Sequence, residues 1–483
     1  MTHCVPPPLV FQGKRWSTGQ LTGMAVAWRH ALLEKLRHPA GPLAIVMVNH
    51  PESVALFFAL SCFPVPLILL PLELKPWRSA PPLPRDTHLV LSPTLGHLEA
   101  EARQLGLAVT VLSDTEVSRD ARDDLLSMVT PGFVLFTSGS TGLPRPVYRG
   151  TAAVLDVARA LMATVGPPRG SGVIATLPLV RAFGLNHGLM AAVVLESPLA
   201  LLGRFDHNAL LRLFASQDYQ YWAGTPMMAD VLGRCPLPGA LPGGHPAPPV
   251  CIIGGRVSAD VARRFKERFG VPLRQLYGTT ETGTVSVDAA PGAEVRSGTA
   301  GRPLSGVELR IGDDPRRPVP ADALGRIWLS SPRFTMDGYG FPPDLERLET
   351  VDGWWATPDV GQLDQAGRLT VAGRLDDCFR SDAGHLVNPD TVAAALESYP
   401  GVTDLAVVTL ATAAGPRLGV LLESAGRLNA VDLRGHLSRS VPPWSQPRVI
   451  ETVGALPRLS NGRADRRACT ALLERSLERD RAG

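Results

Sequence analysis

Residues 133–145 read FVLFTSGSTGLPR. Four apolar residues in a row mark a short strand buried on both faces. They run directly into a loop of glycines and hydroxyls, Thr137-Ser138-Gly139-Ser140-Thr141-Gly142, and the stretch closes on a cation, Arg145. Glycine lets the backbone approach an anion closely, and successive N–H groups and hydroxyls hydrogen-bond phosphate oxygens. The GxxxxGK[ST] spacing of a P-loop is absent. Taken alone, such a loop is more often just a polar turn after a strand.

Working outward, the chain alternates apolar strands with amphipathic helices. Segments 43–48, 67–70, 88–91 and 108–112 predict strands, with helices over 52–61 and 98–105 between them. Downstream, 150–165 carries helical periodicity, 250–253 and 273–276 read as strands, and 259–269 as a helix. This is the pattern of a layered α/β fold. Residues 236–249, PLPGALPGGHPAPP, offer little to bury and predict a surface loop. From Gly298 the strands shorten between Gly and Pro, predicting a β-rich subdomain. The tail has its own small β/α pattern. The division expected is a large core over 1–374 and a small α+β domain over 375–483.

One segment imitates a membrane span: 53–72, SVALFFALSCFPVPLILLPL. Pro64, Pro66 and Pro71 break it, so a buried helix over 51–61 followed by a buried strand is the better reading, and no membrane span is expected. The 483 residues exceed one typical domain. With 48 basic against 45 acidic side chains, the net charge of +3 gives no electrostatic footprint for nucleic acid. Only four of the basic residues are lysine (Lys14, Lys35, Lys75, Lys266); the rest are arginine. Six cysteines (Cys4, Cys62, Cys235, Cys251, Cys378, Cys469) form no CxxC pair, which predicts reduced thiols in the cytoplasm. No HExxH pattern occurs, and the first residues lack the plan of a secretion signal.

Three further stretches join the first. Leu276-Tyr277-Gly278-Thr279-Thr280-Glu281-Thr282 ends a strand in an aromatic residue, a glycine, hydroxyls and a carboxylate able to hold Mg2+ while phosphates supply other oxygens. Tyr277 is suited to stack on a purine, although the stretch alone is also a polar loop. Residues 355–361, WATPDVG, and 373–377, GRLDD, offer Asp359 to the hydroxyls of a ribose and Arg374 to the same sugar or a phosphate. Residues 456–466, LPRLSNGRADR, turn near the end of the chain and present a cation.

In this order and spacing the four stretches resemble the adenylate-forming superfamily of acyl-CoA synthetases, luciferases and carrier-loading adenylation domains, over roughly residues 20–470. The resemblance implies a large layered N-terminal domain with a small mobile C-terminal one. It implies ATP and Mg2+, and a thiol acceptor that is either CoA or the phosphopantetheine of an acyl carrier protein. By resemblance, Thr137 to Arg145 cradles the β- and γ-phosphates, and Gly254 and Gly255 line the adenine and acyl pockets. Tyr277 meets the adenine, and Gly278 and Thr279 belong to the nucleotide site; Thr280 contacts the α-phosphate and Glu281 the metal. Asp359 and Arg374 hold the ribose, and Asp376 is the hinge. Arg463 stands where a lysine bridges the substrate carboxylate and the α-phosphate. The implied activity is attack of a small carboxylic acid on ATP with release of pyrophosphate, then transfer of the acyl group to the thiol.

The chain departs from that pattern at several points. Arginine replaces lysine at Arg145, Arg380 and Arg463. At Arg145 a planar fork suits phosphate, whereas at Arg463 a bulkier head must reach a place made for an ammonium. A weakened nucleotide-binding homologue acting through protein contacts is therefore the alternative reading. In TLPLVRAFG (176–184), Arg181 stands beside the acyl pocket, either reading an acidic or hydroxylated substrate or facing solvent; Phe183 and Thr225 are expected in the pocket wall. No aspartate near Phe183 suits an α-amino group, which disfavours amino acids. No carrier segment follows the last domain, and a freestanding ligase of secondary metabolism, loading an aryl or fatty acid, is the expected context.

Overall fold

Proline sets the shape of the most apolar stretch. The computed structural model describes residues 2–3, 5–36, 39, 41–72, 83–113, 126–137, 144–236, 247–290, 298–397, 399–412, 415–424, 426, 428–458 and 464–482. In it, Pro51 opens helix Pro51–Ser61, whose N-cap His50 accepts a hydrogen bond from the Glu52 N–H. Leu56, Phe57, Phe58, Ala59 and Leu60 are all 1% exposed or less, so the helix is buried all round, as its unbroken apolar run demands. After Pro64 and Pro66 the chain re-enters as strand Leu67–Leu70, paired parallel with Leu43–Val46 and Gly132–Phe136. Among the described residues no helix is long and apolar enough to cross a membrane.

The chain divides into two compact units. The first comprises Met1–Glu308, Ser330–Trp355 and Gly367–Leu369; the second comprises Leu309–Leu329, Ala356–Ala366 and Thr370–Gly483. Residues 375–483 thus lie wholly in the second unit.

Two large sheets build the first unit. In one, strands Leu67–Leu70, Leu43–Val46, His88–Leu91 and Ala108–Val111 run parallel beside Gly132–Phe136, and Pro146–Gly150, Gly338–Phe341 and Asp344–Glu346 continue it antiparallel. In the other, Gly172–Ala175, Tyr219–Gly224, Val250–Gly254 and Leu273–Thr279 run parallel in that order, and Gly283–Val287 returns antiparallel. Their carboxyl ends lie along one edge, the place where open α/β sheets hold ligands. The strand expected over 273–276 continues to Thr279 because Gly283–Val287 pairs with its extension. The helix expected over 98–105 is a 3-10 turn, Pro93–Leu98, followed by α-helix Glu99–Gln104.

The second unit takes most of the short strands Glu308–Ile311, Gly325–Ser330, Trp354–Leu363 and Leu369–Arg374. Its C-terminal part is a three-stranded sheet, Asp404–Thr412, Gly415–Glu423 and Val449–Val453. Alternation buries both faces of that sheet: Val407 packs with Val392, Leu396 and Leu433, while Ala406, Val408 and Leu410 pack with Cys469 and Leu473. The five described cysteines are all free thiols.

Candidate active site

The loop that opens the chain's decisive stretch is pinned at its neck. Thr137 N–H donates to the Arg145 carbonyl at 3.0 Å, and Arg145 N–H donates to Thr137 Oγ1 at 2.9 Å. The Phe136 and Pro146 register continues this pairing into the sheet. Ser138, Gly139, Ser140, Thr141 and Gly142 lie outside the described residues, as does Arg463. Arg181 turns to the same neck, its Nη1 donating to the carbonyls of Phe136 (3.2 Å) and Thr137 (3.4 Å).

The Tyr277–Glu281 stretch forms a hairpin with a bulge between Tyr277 and Gly278. Gly278 is required there, because a Cβ would collide with the carbonyl of Gly283. Thr279 Oγ1 and Thr282 Oγ1 are 3.0 Å apart across the turn, which closes on Gly283 at φ 71°. Tyr277 is buried, Thr279 and Thr280 are half-buried, and Gly278 is exposed. Glu281 sits at the margin of burial, 9% exposed. Its carbonyl accepts from the Met336 N–H at 2.8 Å, and its Oε1 accepts from the Tyr339 hydroxyl at 2.9 Å.

Tyr339 also carries Arg145, whose Cζ lies 3.6 Å from the ring centroid, and Arg145 Nη2 reaches the exposed Glu346 at 3.1 Å. Burial, followed by the charge and hydrogen bond of Glu281, pushes the Tyr339 phenol well up, so it remains a donor. Below the hairpin, fully buried Arg149 donates to the carbonyls of Thr282 (3.0 Å) and Phe334 (3.2 Å). Burial lowers the Arg149 guanidinium to about 10 against the pull of Glu281 and Asp337, and it is charged at neutral pH.

Next to the hairpin, apolar groups take over. Gly254 ends its strand against half-buried Phe183, and a Cβ at 254 would overlap the ring. Gly255 takes φ 108° beside Pro226. Thr225 caps helix Pro226–Arg234, its Oγ1 accepting from Met228 N–H at 3.3 Å. Behind Phe183, at 4.6 Å between rings, His187 is fully buried with Nδ1 2.5 Å from the Tyr221 hydroxyl and Nε2 2.7 Å from Thr284 Oγ1. Desolvation lowers its pKa from 6.5 to about 3, so the ring is neutral.

In the second unit, Asp359 is 8% exposed, with Arg374 Nη1 3.4 Å from its Oδ1. Thr357 Oγ1 accepts from the Asp359 N–H at 3.2 Å, and Arg326 Nε donates to the Thr357 carbonyl at 2.8 Å. Asp376 is exposed in the turn Leu375–Asp377, and its charge opposes the lowering of the Arg326 pKa by burial. Arg380 pairs with Asp313 and donates to the Gly384 carbonyl at 2.7 Å.

A family model described as AMP-binding enzyme matches residues 3–340. The chain belongs to the AMP-binding enzyme family. The long-chain-fatty-acid–CoA ligase of Thermus thermophilus is 29% identical over 69% of this chain, and the benzoate–CoA ligase of Thauera aromatica 27% identical over 69%. In both cases the match spans only 64% of the relative's own length. The 2-succinylbenzoate–CoA ligase of Geobacillus kaustophilus is 28% identical over 97% of this chain and 94% of its own. Among solved structures, ATP-bound MatB from Rhodopseudomonas palustris superposes with a TM-score of 0.78 at 20% identity, covering 98% of this chain and 96% of that one. At that identity the likeness speaks for the fold, and it agrees with the mixed α/β architecture expected from the sequence.

Sequence reading named the two motifs of the first unit but missed Tyr339, Arg149 and His187. Gly338–Phe341 reads GYGF and carries no charge or period that marks a site. Tyr339 enters only through strand register, opposite Val147. An arginine in an otherwise apolar strand, PVYRG, was the one legible signal for Arg149.

Proposed function

We propose that this chain is an AMP-forming acid–thiol ligase, which activates a small carboxylic acid with ATP and transfers the acyl group to a thiol. One observation carries the reading: a nearly buried carboxylate, Glu281, and the loop cation Arg145 share the ring of Tyr339. A carboxylate and a guanidinium held side by side suit a triphosphate and its divalent cation. Glu281 fits Mg2+ in chemistry, as a hard oxygen donor with Oε1 held by a neutral hydroxyl. When bound, Mg2+ would neutralise charge on the phosphates.

The chain's own residues supply the rest. Thr137, Arg145 and the 138–142 loop bind the β- and γ-phosphates, and Thr280 contacts the α-phosphate. Tyr277 meets the adenine with Gly278 and Thr279 beside the nucleotide, and Gly254 and Gly255 line both the adenine and the acyl pockets. Asp359 and Arg374 take the ribose, and Arg463 bridges the acid and the α-phosphate. Phe183 and Thr225 wall the acyl pocket. Arg181, directed at the loop neck, serves the phosphates more directly than the acid. Stabilising the charge crowded at the α-phosphate is the main task. We place the nucleotide and acyl sites in residues 1–374 and a lid in 375–483, swinging about Asp376.

The relatives from Thermus, Thauera and Geobacillus are all CoA ligases by name; this supports CoA as the acceptor over a carrier protein's phosphopantetheine. Free thiols suit a cytoplasmic enzyme. The test is incubation with ATP, Mg2+ and CoA across aryl, short-chain and medium-chain acids, reading AMP and acyl-CoA by mass spectrometry. AMP and an acyl-CoA in equal amounts are expected with at least one acid. AMP formation without thioester would move the acceptor to a carrier protein, and neither product would refute the ligase. The second reading, a weakened homologue, rests on Arg463 alone. Arg463→Lys is expected to change turnover less than about threefold; activity that emerges only in this variant would favour the weakened homologue.

A further inference from the structure

Arg145, Tyr339 and Glu346 stand side by side because of strand register. Tyr339 on Gly338–Phe341 pairs with Val147 on one side and with Glu346 on the other. Directly opposed residues leave a sheet on the same face, and the residue two positions along is the diagonal neighbour. Arg145, two before Val147, is therefore delivered onto the Tyr339 ring. From the ring's far end, the hydroxyl reaches Glu281 at the hairpin tip. The result is a continuous row, Glu281–Tyr339–Arg145–Glu346, with every link in direct contact.

Each link leaves something free for a ligand. The phenol donates to Oε1 of Glu281 and leaves Oε2 available to a cation. The stacked guanidinium is held flat, with only Nη2 taken up by a carboxylate. That carboxylate, Glu346, is 74% exposed. An exposed pair of this kind is weak, and a phosphate oxygen can replace it.

We propose that Tyr339 is the positioning residue for the metal–nucleotide. Its hydroxyl sets the Glu281 carboxylate for a divalent cation, and its ring sets the Arg145 guanidinium for the phosphates of the nucleotide. The inference rests on the ligase reading for the identity of the nucleotide, yet it is tested by binding, independently of turnover.

Tyr339→Phe removes the hydroxyl and keeps the ring, whereas Tyr339→Leu removes both. Calorimetric titration of ATP at increasing Mg2+ gives the Mg2+ concentration for half-maximal tightening. For Tyr339→Phe this midpoint is expected to rise about tenfold, the usual scale for losing a group that orients a metal ligand. At saturating Mg2+ its ATP affinity should return to within about twofold of wild type, since the stacked cation remains. Tyr339→Leu should bind ATP more weakly even at saturating Mg2+. In the Glu281→Gln background, Tyr339→Phe should shift the midpoint no further, because it acts through that carboxylate. A wild-type midpoint in Tyr339→Phe, or an undiminished shift in the Glu281→Gln background, overturns the proposal. Wild-type protein that binds Mg2+–ATP yet releases no pyrophosphate with any acid overturns the ligase reading alone. Wild-type protein that binds no Mg2+–ATP overturns both.

Discussion

Two neighbouring regions of the first unit are built on opposite principles. At the hairpin tip, Glu281, Tyr339 and Arg145 are tied to one another by a hydrogen bond and a stacked cation, and Arg149 braces the turn from below. At the neighbouring wall, Phe183 rests on Gly254, with His187 and Tyr221 behind it. The first region holds charges at fixed points. The second is defined by shape, with its polar atoms turned inward and satisfied. The difference suggests a division of labour: the tip is built for one invariant ligand, while the wall can change its contour without disturbing the tip.

The sharpest way to break that division is Glu281→Gln. Losing the carboxylate we propose for the cation should lower pyrophosphate release about 10²–10³-fold, the scale of removing a preorganised electrostatic group. The apparent affinity for the acid should hardly move. A matching loss of acid affinity would show that the two regions are not separate.

A smaller effect is expected on the wall. Gly254→Ala places a methyl into the Phe183 ring, and the ring must move into whatever space it lines. Steady-state kinetics should show KM for the preferred acid raised about tenfold, the scale of one misplaced methylene in a hydrophobic pocket. KM for ATP should rise less, because the added methyl is directed at the Phe183 ring. An equal rise in both would show that this face serves the nucleotide as much as the acid.

The least effect concerns stability. Buried His187 has its pKa lowered to about 3 by desolvation, against 6.5 in the unfolded chain. Between those values the unfolded state binds a proton that the folded state refuses, so the stability contribution is full above 6.5 and is lost as pH falls toward 3. The limit is about 1.4 kcal/mol per pH unit. Denaturant unfolding of wild type and His187→Gln at pH 7, 6, 5 and 4 should show wild type losing stability faster on acidification. Parallel curves would mean that the ring is not held neutral.

How far the sequence is legible follows the same division. Glycines and charges announce the tip: Gly278 and Gly283 stand where a turn admits no side chain, and Glu281 follows hydroxyls at a strand's end. Proline punctuation likewise betrays the buried helix Pro51–Ser61 within a membrane-like stretch. The wall is only partly legible: Phe183 is expected there by resemblance, whereas His187 and Tyr221 look like any core residues until the helical turns after Arg181 bring the imidazole against both. Tyr339 is hidden for another reason. Its role comes from pairing between distant strands, which local pattern does not encode. Arg181 kept two readings open in sequence; its guanidinium donates to the Phe136 and Thr137 carbonyls at the loop neck, a contact that neither reading named.

The most direct test of the account is pyrophosphate release from ATP and Mg2+ by the wild-type protein, with hydroxylamine as the only nucleophile, over a panel of aryl and aliphatic acids. The account predicts release that depends on the acid and an equal yield of the corresponding hydroxamate. Release that is the same with and without acid, or none with any acid in protein that binds Mg2+–ATP, would contradict it.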